Sequence, residues 1–286
     1  MFNQSDLGFL HLEEKRLALF SKILPPDSPY YDEKACLQYL KEELLDEAKD
    51  RDLLPVWSNE LLSGWPSYGS QTRVLIAERL VSMFPDAKIL LIIREQKSVI
   101  NSVYGQYIRE GGTMNLKTYL SKEWVAPYFQ GFNLVQYDYF QLVSLYTRLF
   151  KPENVLFLPY ELLNKDSSAF IKSILNFAEL DHEAGLALMS KNVLNKTTSD
   201  SNLWLRRHVG KFVSNRRSVS NQNAVCYNFH FKKMWKSLEL PRFVDTALKR
   251  KKSTIIQAHI GNTFQESNNS LQELTDVDFK SLGYDL

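Results

Sequence analysis

Two rhythms of apolar residues run along this chain. At 88–94 the run Ile-Leu-Leu-Ile-Ile is unbroken, bounded by Lys88 and Arg94, and far too short to span a membrane. Such a run predicts a strand buried on both faces. A polar turn, Pro85-Asp86-Ala87, leads into it. Directly after it, Val99, Ile100, Val103, Tyr104, Tyr107 and Ile108 recur at spacings of three and four, which predicts a helix that Gly111-Gly112 stops. The same helical rhythm appears at 32–50 (Leu37, Leu40, Leu44, Leu45), at 72–84 (Val74, Leu75, Ala77, Leu80, Val81, Phe84), at 137–150 and at 167–178. Continuous apolar runs at 53–57 and 154–161 predict two more strands.

The N-terminal stretch looks helical after Leu10 and breaks at Pro25-Pro26-Asp27-Ser28-Pro29. A loop with a short helix is expected at 113–131. Beyond Leu180 strand signals fade, 216–223 reads as a loop, and 229–238 and 242–252 read as helices. Strands alternating with helices predict an α/β fold with a parallel sheet flanked by helices. No repeat, low-complexity tract or linker interrupts the 286 residues, so one domain over 1–286 is expected.

Composition adds a charge asymmetry. Lys+Arg 35 against Asp+Glu 33 nearly cancel over the whole chain. Between 191 and 252, however, 15 cations face three acids, Asp200, Glu239 and Asp245. Such a stretch suits an anionic partner, although a solvated basic face is the commoner fate of a charge run. The two cysteines, Cys36 and Cys226, have neither metal spacing nor a disulfide framework. With no signal-like leader and no apolar run of roughly 18–20 residues, a cytoplasmic protein without a membrane span is expected. The five histidines show no ligand spacing, so no metal is assigned. Nucleic acid is not expected as a partner, since the basic residues are not interleaved with aromatics for base stacking.

The candidate chemistry sits where the first rhythm changes into the second. Arg94 ends the strand and Ser102 comes eight residues later on the first turns of the helix. Ligands of open α/β sheets bind at the carboxyl ends of the strands. A guanidinium and a hydroxyl beside a helix N-terminus, with its dipole and free N–H groups, make an anion site. The plainer alternative is an arginine paired with Glu95 or Glu110 at a strand end. Glu60, after the strand at 53–57, is a candidate general base; a turn cap, or a partner for Arg73 or Arg79, is the alternative. Arg206, Arg207 and Lys211 form a basic cluster. Glu161 reads as structural, capping a helix or pairing with a cation. Trp57, Trp65, Tyr68, Trp124 and Tyr128 suit stacking on a sugar or adenine as well as core packing.

The run KILLIIREQKSVINSVYGQYIREGG resembles the 3′-phosphate-binding segment of sulfotransferases that use 3′-phosphoadenosine 5′-phosphosulfate (PAPS). Further likenesses to that family are Trp57-Ser-Asn-Glu60 through Gly64, the strand and helix from Val155 to near Phe177, Phe264 through Leu271, and Gly283-Tyr284. The resemblance implies a P-loop-NTPase-like sulfotransferase fold. It implies that Arg94 and Ser102 hold the 3′-phosphate and that Arg206, Arg207 and Lys211 close over the nucleotide. It implies an acceptor near Glu60, a small molecule or a carbohydrate, and PAPS as co-substrate without a metal.

One departure stands out. The family's K-x-G-T-T-type loop, which holds the 5′-phosphosulfate, has no counterpart here, since only Gly8 precedes Gly64 and Gly210-Lys211 runs on into Phe212. Residues 1–9 resemble the family's segment just after that loop and its helix, so a first strand, loop and helix of roughly 20–30 residues is expected to be missing. Weak turnover is therefore expected, or a non-catalytic remnant that binds a nucleotide or polyanion.

Overall fold

Aspartates start three of the described helices, and buried aromatic and aliphatic residues hold the helices together. The computed structural model describes residues 9–11, 31–58, 60–64, 72–109, 111–121, 132–183, 198–209 and 241–286. Strand β1 (Phe9–His11) is followed by helix α1 (Glu33–Leu40), a π turn (Lys41–Leu45) and α2 (Asp46–Asp50). Next come β2 (Leu54–Val56), a 3₁₀ turn (Glu60–Ser63), α3 (Arg73–Met83), β3 (Ile89–Ile93), α4 (Gln96–Arg109) and α5 (Leu116–Ser121). A 3₁₀ turn (Leu134–Tyr137) leads to α6 (Tyr139–Phe150), β4 (Val155–Pro159), α7 (Tyr160–Lys165) and α8 (Ser167–Ala178). Helices α9 (Asp200–Val209), α10 (Arg242–Ile260) and α11 (Gln265–Gln272) complete the order. Asp32, Asp138 and Asp166 cap α1, α6 and α8, each carboxylate accepting a first-turn N–H.

The architecture is α/β, mostly helical, with parallel strands as expected. Strand β1 pairs with β2, and β3 with β4, both in parallel. The β3–β4 register runs from Ile89 opposite Val155 to Ile93 opposite Pro159. The next residues, Arg94-Glu95 and Tyr160-Glu161, therefore leave the sheet at the same edge. Helix α6 packs on β3, β4, α3 and α11, and its Leu142, Val143, Tyr146 and Phe150 are buried at the centre of the core. Helix α10 braces α4, α5 and α9.

Three expectations change. Residues 9–11 form a strand that the sequence does not predict, and the helix expected from Leu12 onward lies outside the described residues. The helix expected over 32–50 runs through 33–50 without a break, but takes π rather than α geometry at Lys41–Leu45. Strand β3 is buried on one face only: Leu91 and Ile93 lie in the core, whereas Leu90 and Ile92 are 39% and 47% exposed. Alternation along a strand separates the two pairs, and the aromatic and aliphatic residues of α6 join the core with Leu91 and Ile93. No helix among the described residues is long and apolar enough to cross a membrane. The expected loop at 216–223 and helix at 229–238 lie outside the described residues.

Candidate functional site

The shared edge of β3 and β4 carries a dense polar network. Arg94 leaves β3 half-buried, its guanidinium 5.4 Å over the ring of Tyr160, the first residue after β4. Arg94 Nε donates to Ser98 Oγ at 3.0 Å. Ser98 stands one turn before Ser102 on the same face of α4, so Arg94, Ser98 and Ser102 form a ladder at steps of four. Ser102 itself is exposed. The bond from Arg94 thus goes to Ser98, one turn before Ser102.

The helix N-terminus is arranged differently from the expectation. Two N–H groups at the start of α4, those of Lys97 and Ser98, donate to the Glu95 carboxylate at 2.9 and 2.7 Å. They are occupied rather than open to an external anion, because Glu95 sits at the position from which a side chain folds back onto the first turn. The Glu95 N–H donates to Glu161 Oε1 at 3.1 Å, and the Tyr284 hydroxyl donates to Glu161 Oε2 at 3.2 Å. Glu161 therefore ties the C-terminal tail to the turn that presents Arg94, without a basic partner in either bond. Lys97 pairs with Asp285 at 2.8 Å. The buried Asn268 side chain bonds Gln96 and the Asp285 carbonyl. The anchor of the Arg94 turn thus comes from residues 161–285, which local sequence patterns do not reveal.

Burial shapes the protonation of this edge. It raises the Glu95 carboxyl above its ordinary value of 4.5, against the two N–H bonds and Lys97, and Glu161 adds to the rise. The hydroxyls of Tyr139 and Tyr284 are pushed up, burial being the largest cause in both. Glu95 thus holds its proton more tightly folded than unfolded. Its contribution to stability is full below the ordinary carboxylate range and is lost as pH rises through the raised folded value. Relative to Glu95→Gln, the unaltered protein is expected to lose stability as pH increases across that window, read from urea melts at stepped pH. A pH-independent difference between the two would contradict this.

Two other candidate groups lie on other elements. The 3₁₀ turn carrying Glu60 is braced from behind. Buried Arg73 donates to the Ser63 and Gln136 carbonyls at 2.9 and 3.0 Å, and the Tyr146 hydroxyl donates to the Leu62 carbonyl at 2.6 Å. Gly64 has φ +100°, and a Cβ there would meet Arg73 Cβ at 3.0 Å, so only glycine fits behind this turn. Arg206 and Arg207 lie on α9, which packs on α4. Arg206 Nε donates to Asn202 Oδ1 at 2.7 Å. Arg207 contacts His208 Nε2 at 3.2 Å and hydrogen-bonds the Tyr104 hydroxyl of α4. Lys211, Trp65, Tyr68, Trp124 and Tyr128 lie outside the described residues. Trp57 is half-buried against the core. No group of acids, cysteines and histidines among the described residues has the arrangement of a metal site.

A sulfotransferase domain family model matches residues 75–251, more than half of the chain. The chain belongs to the sulfotransferase domain family. The matched span holds β3, α4, β4 and α9, and with them Arg94, Ser102, Arg206, Arg207 and Lys211. Glu60 and the tail from Lys252 onward lie outside it. Among solved structures, the crystal structure of a sulfotransferase from Alicyclobacillus acidocaldarius is similar, at 19% identity and a TM-score of 0.45, over 71% of this chain and 83% of that one. No curated protein matches. Membership gives the domain its general chemistry, sulfuryl transfer, and the bonds around Arg94, Glu95 and Glu161 hold together the edge where β3 and β4 end.

Proposed function

We propose that this sulfotransferase domain uses PAPS to sulfate a hydroxyl of a carbohydrate acceptor. The observation that carries this reading is the Arg94–Ser98–Ser102 ladder at the carboxyl edge of a parallel strand pair. A guanidinium fixed at Nε keeps its remaining N–H groups for a phosphate, and Ser102 offers a hydroxyl one turn beyond. Arg94 and Ser102 hold the 3′-phosphate in this reading. Arg206, Arg207 and Lys211 close over the nucleotide from the other side, and 1–286 works as one domain. Glu60 takes the proton of the acceptor hydroxyl. The acceptor oxygen then forms its bond to sulfur as the bridging bond to the 5′-phosphate breaks, and 3′-phosphoadenosine 5′-phosphate leaves. Positioning and electrostatic stabilisation supply most of such a rate enhancement.

No glycine directly precedes a Lys-Thr or Lys-Ser in the sequence. This favours a second reading, a nucleotide-binding protein of the same fold with little turnover. For the 286-residue chain we expect slow transfer of labelled sulfate from PAPS to carbohydrate acceptors. Glu60→Gln is expected to lower what transfer there is by about a hundredfold or more while sparing nucleotide binding. Robust turnover by the unaltered chain would sink the expectation of weak activity. Loss of nucleotide binding in Glu60→Gln would make Glu60 a structural residue.

A further inference from the structure

Helix α10 has two very different sides. Leu248, Lys252, Ile256 and Ile260, at steps of four, turn toward the helices it braces, and the two isoleucines are buried. The opposite side faces solvent. Phe243, Thr246, Ala247, Arg250, Lys251 and Thr254 line a shallow, mostly apolar trough along it. Phe243 is 75% exposed, more than any other large apolar side chain among the described residues. The Thr246 and Thr254 hydroxyls donate to the Arg242 and Arg250 carbonyls at 3.0 and 3.1 Å, so they fold back onto the helix and leave the trough floor low.

Cations flank this trough on both sides. Arg242 and Lys249 are seven residues apart and share one margin; Lys251 stands on the other, with Arg250 between them. All four are exposed, and no ion pair among the described residues involves them. The run Lys249–Lys252 therefore divides: Lys252 turns inward to Asp200, and three cations stay outside. No acid of the helix answers them. Its single carboxylate, Asp245, is half-buried and accepts the Ser201 N–H at 2.8 Å. Four like charges over about 13 Å of helix repel one another and hold a positive potential, which a linear polyanion neutralises.

We propose that the outer face of α10 binds an anionic polysaccharide, the charged acceptor chain of this domain, with a sugar ring on Phe243 and its acidic groups on the flanking cations. This rests on the carbohydrate-acceptor reading and adds to it the acceptor's charge and the helix that holds it. A ring in a low trough between cations suits a sugar, which has an apolar face to stack and acidic groups at its rim. One aromatic ring is too little for a bilayer surface, where a helix presents a whole face of Trp, Phe and Leu. It is also too little for a nucleic acid strand, whose successive bases each take a ring.

The test is the binding of labelled polygalacturonate, neutral dextran and polyglutamate to the full chain, read by fluorescence anisotropy without nucleotide. Polygalacturonate is expected to bind, less tightly as salt is raised, and dextran is not. Lys249→Gln/Arg250→Gln/Lys251→Gln should weaken polygalacturonate by about tenfold, since three exposed ion pairs of ordinary strength are lost together. Lys34→Gln/Lys41→Gln/Lys49→Gln removes the same charge from exposed positions of the 33–50 helix and should bind as the parent does. Phe243→Ala should weaken polygalacturonate by about threefold and leave polyglutamate, which has no sugar ring, unchanged. Every altered residue is exposed, so the variants should melt at the temperature of the parent chain and keep its affinity for 3′-phosphoadenosine 5′-phosphate.

Equal losses in the two triple variants reduce the effect to net charge and overturn the proposal. An equal effect of Phe243→Ala on both polyanions, nil included, overturns it too. So does tighter binding to phosphatidylserine vesicles or to a DNA oligonucleotide than to polygalacturonate, which would move the partner to lipid or nucleic acid. If the nucleotide binds and polygalacturonate does not, this inference alone falls. If polygalacturonate binds through α10 and the nucleotide does not bind, the PAPS reading alone falls.

Discussion

Arg94→Ala is expected to weaken binding of 3′-phosphoadenosine 5′-phosphate by about a hundredfold or more, with adenosine 5′-phosphate little affected. Arg94 is half-buried and locked between Ser98 and Tyr160, so its fork is set before any ligand arrives. A pre-oriented guanidinium loses little freedom on binding, and its bonds to a phosphate are charge-assisted. Each such bond contributes about 1.5–3 kcal/mol, and two of them account for the expected factor. The second nucleotide is the control, because it lacks the phosphate that Arg94 is assigned to. Calorimetry on both reads the difference directly. Equal losses would place Arg94 in the architecture of the edge rather than at the phosphate.

Phe279→Ala is expected to destabilise the protein by about 3–5 kcal/mol, a large part of the roughly 5–15 kcal/mol that holds such a domain together. Phe279 is fully buried, with its ring 4.7 Å from that of Tyr284 and edge-on to Phe157 of β4 at 6.4 Å. Truncation leaves a cavity between the sheet and the C-terminal tail. The effect should reach the site as well, since Tyr284 then loses its packing neighbour, and its hydroxyl is what holds Glu161. A lower urea midpoint with an unchanged slope, together with weaker nucleotide binding, is the expected outcome. A small shift in midpoint would show that the tail packs independently of β4.

Much of this edge is legible in the sequence because it is local. The run at 88–94, the apolar spacings from Val99 to Ile108 and the double glycine give β3, α4 and the position of Arg94 between them. The parallel partner at 154–161 is equally readable from its apolar run. Other features depend on partners far away in the chain. Glu161 meets the Glu95 N–H across 66 residues, and Tyr284 meets Glu161 across 123, so neither bond has a local signature. By sequence Glu161 reads as a cap or the partner of a cation; in the fold it is a link between turn and tail.

Ser98 touches Arg94 because it stands one turn away, whereas Ser102 stands two turns away. Strand β1 is three residues long, too short for alternation to show. The exposure of Leu90 and Ile92 depends on which elements cover β3, and that is a property of the tertiary arrangement.

The central claim is that the edge formed by β3, β4 and α4 recognises a 3′-phosphate. Its most direct test is a single comparison on the unaltered chain, the affinity for 3′-phosphoadenosine 5′-phosphate against that for adenosine 5′-phosphate. Recognition at this edge predicts tighter binding of the first by about a hundredfold, weakening as salt is raised. Equal affinities, or binding of neither nucleotide, would contradict it.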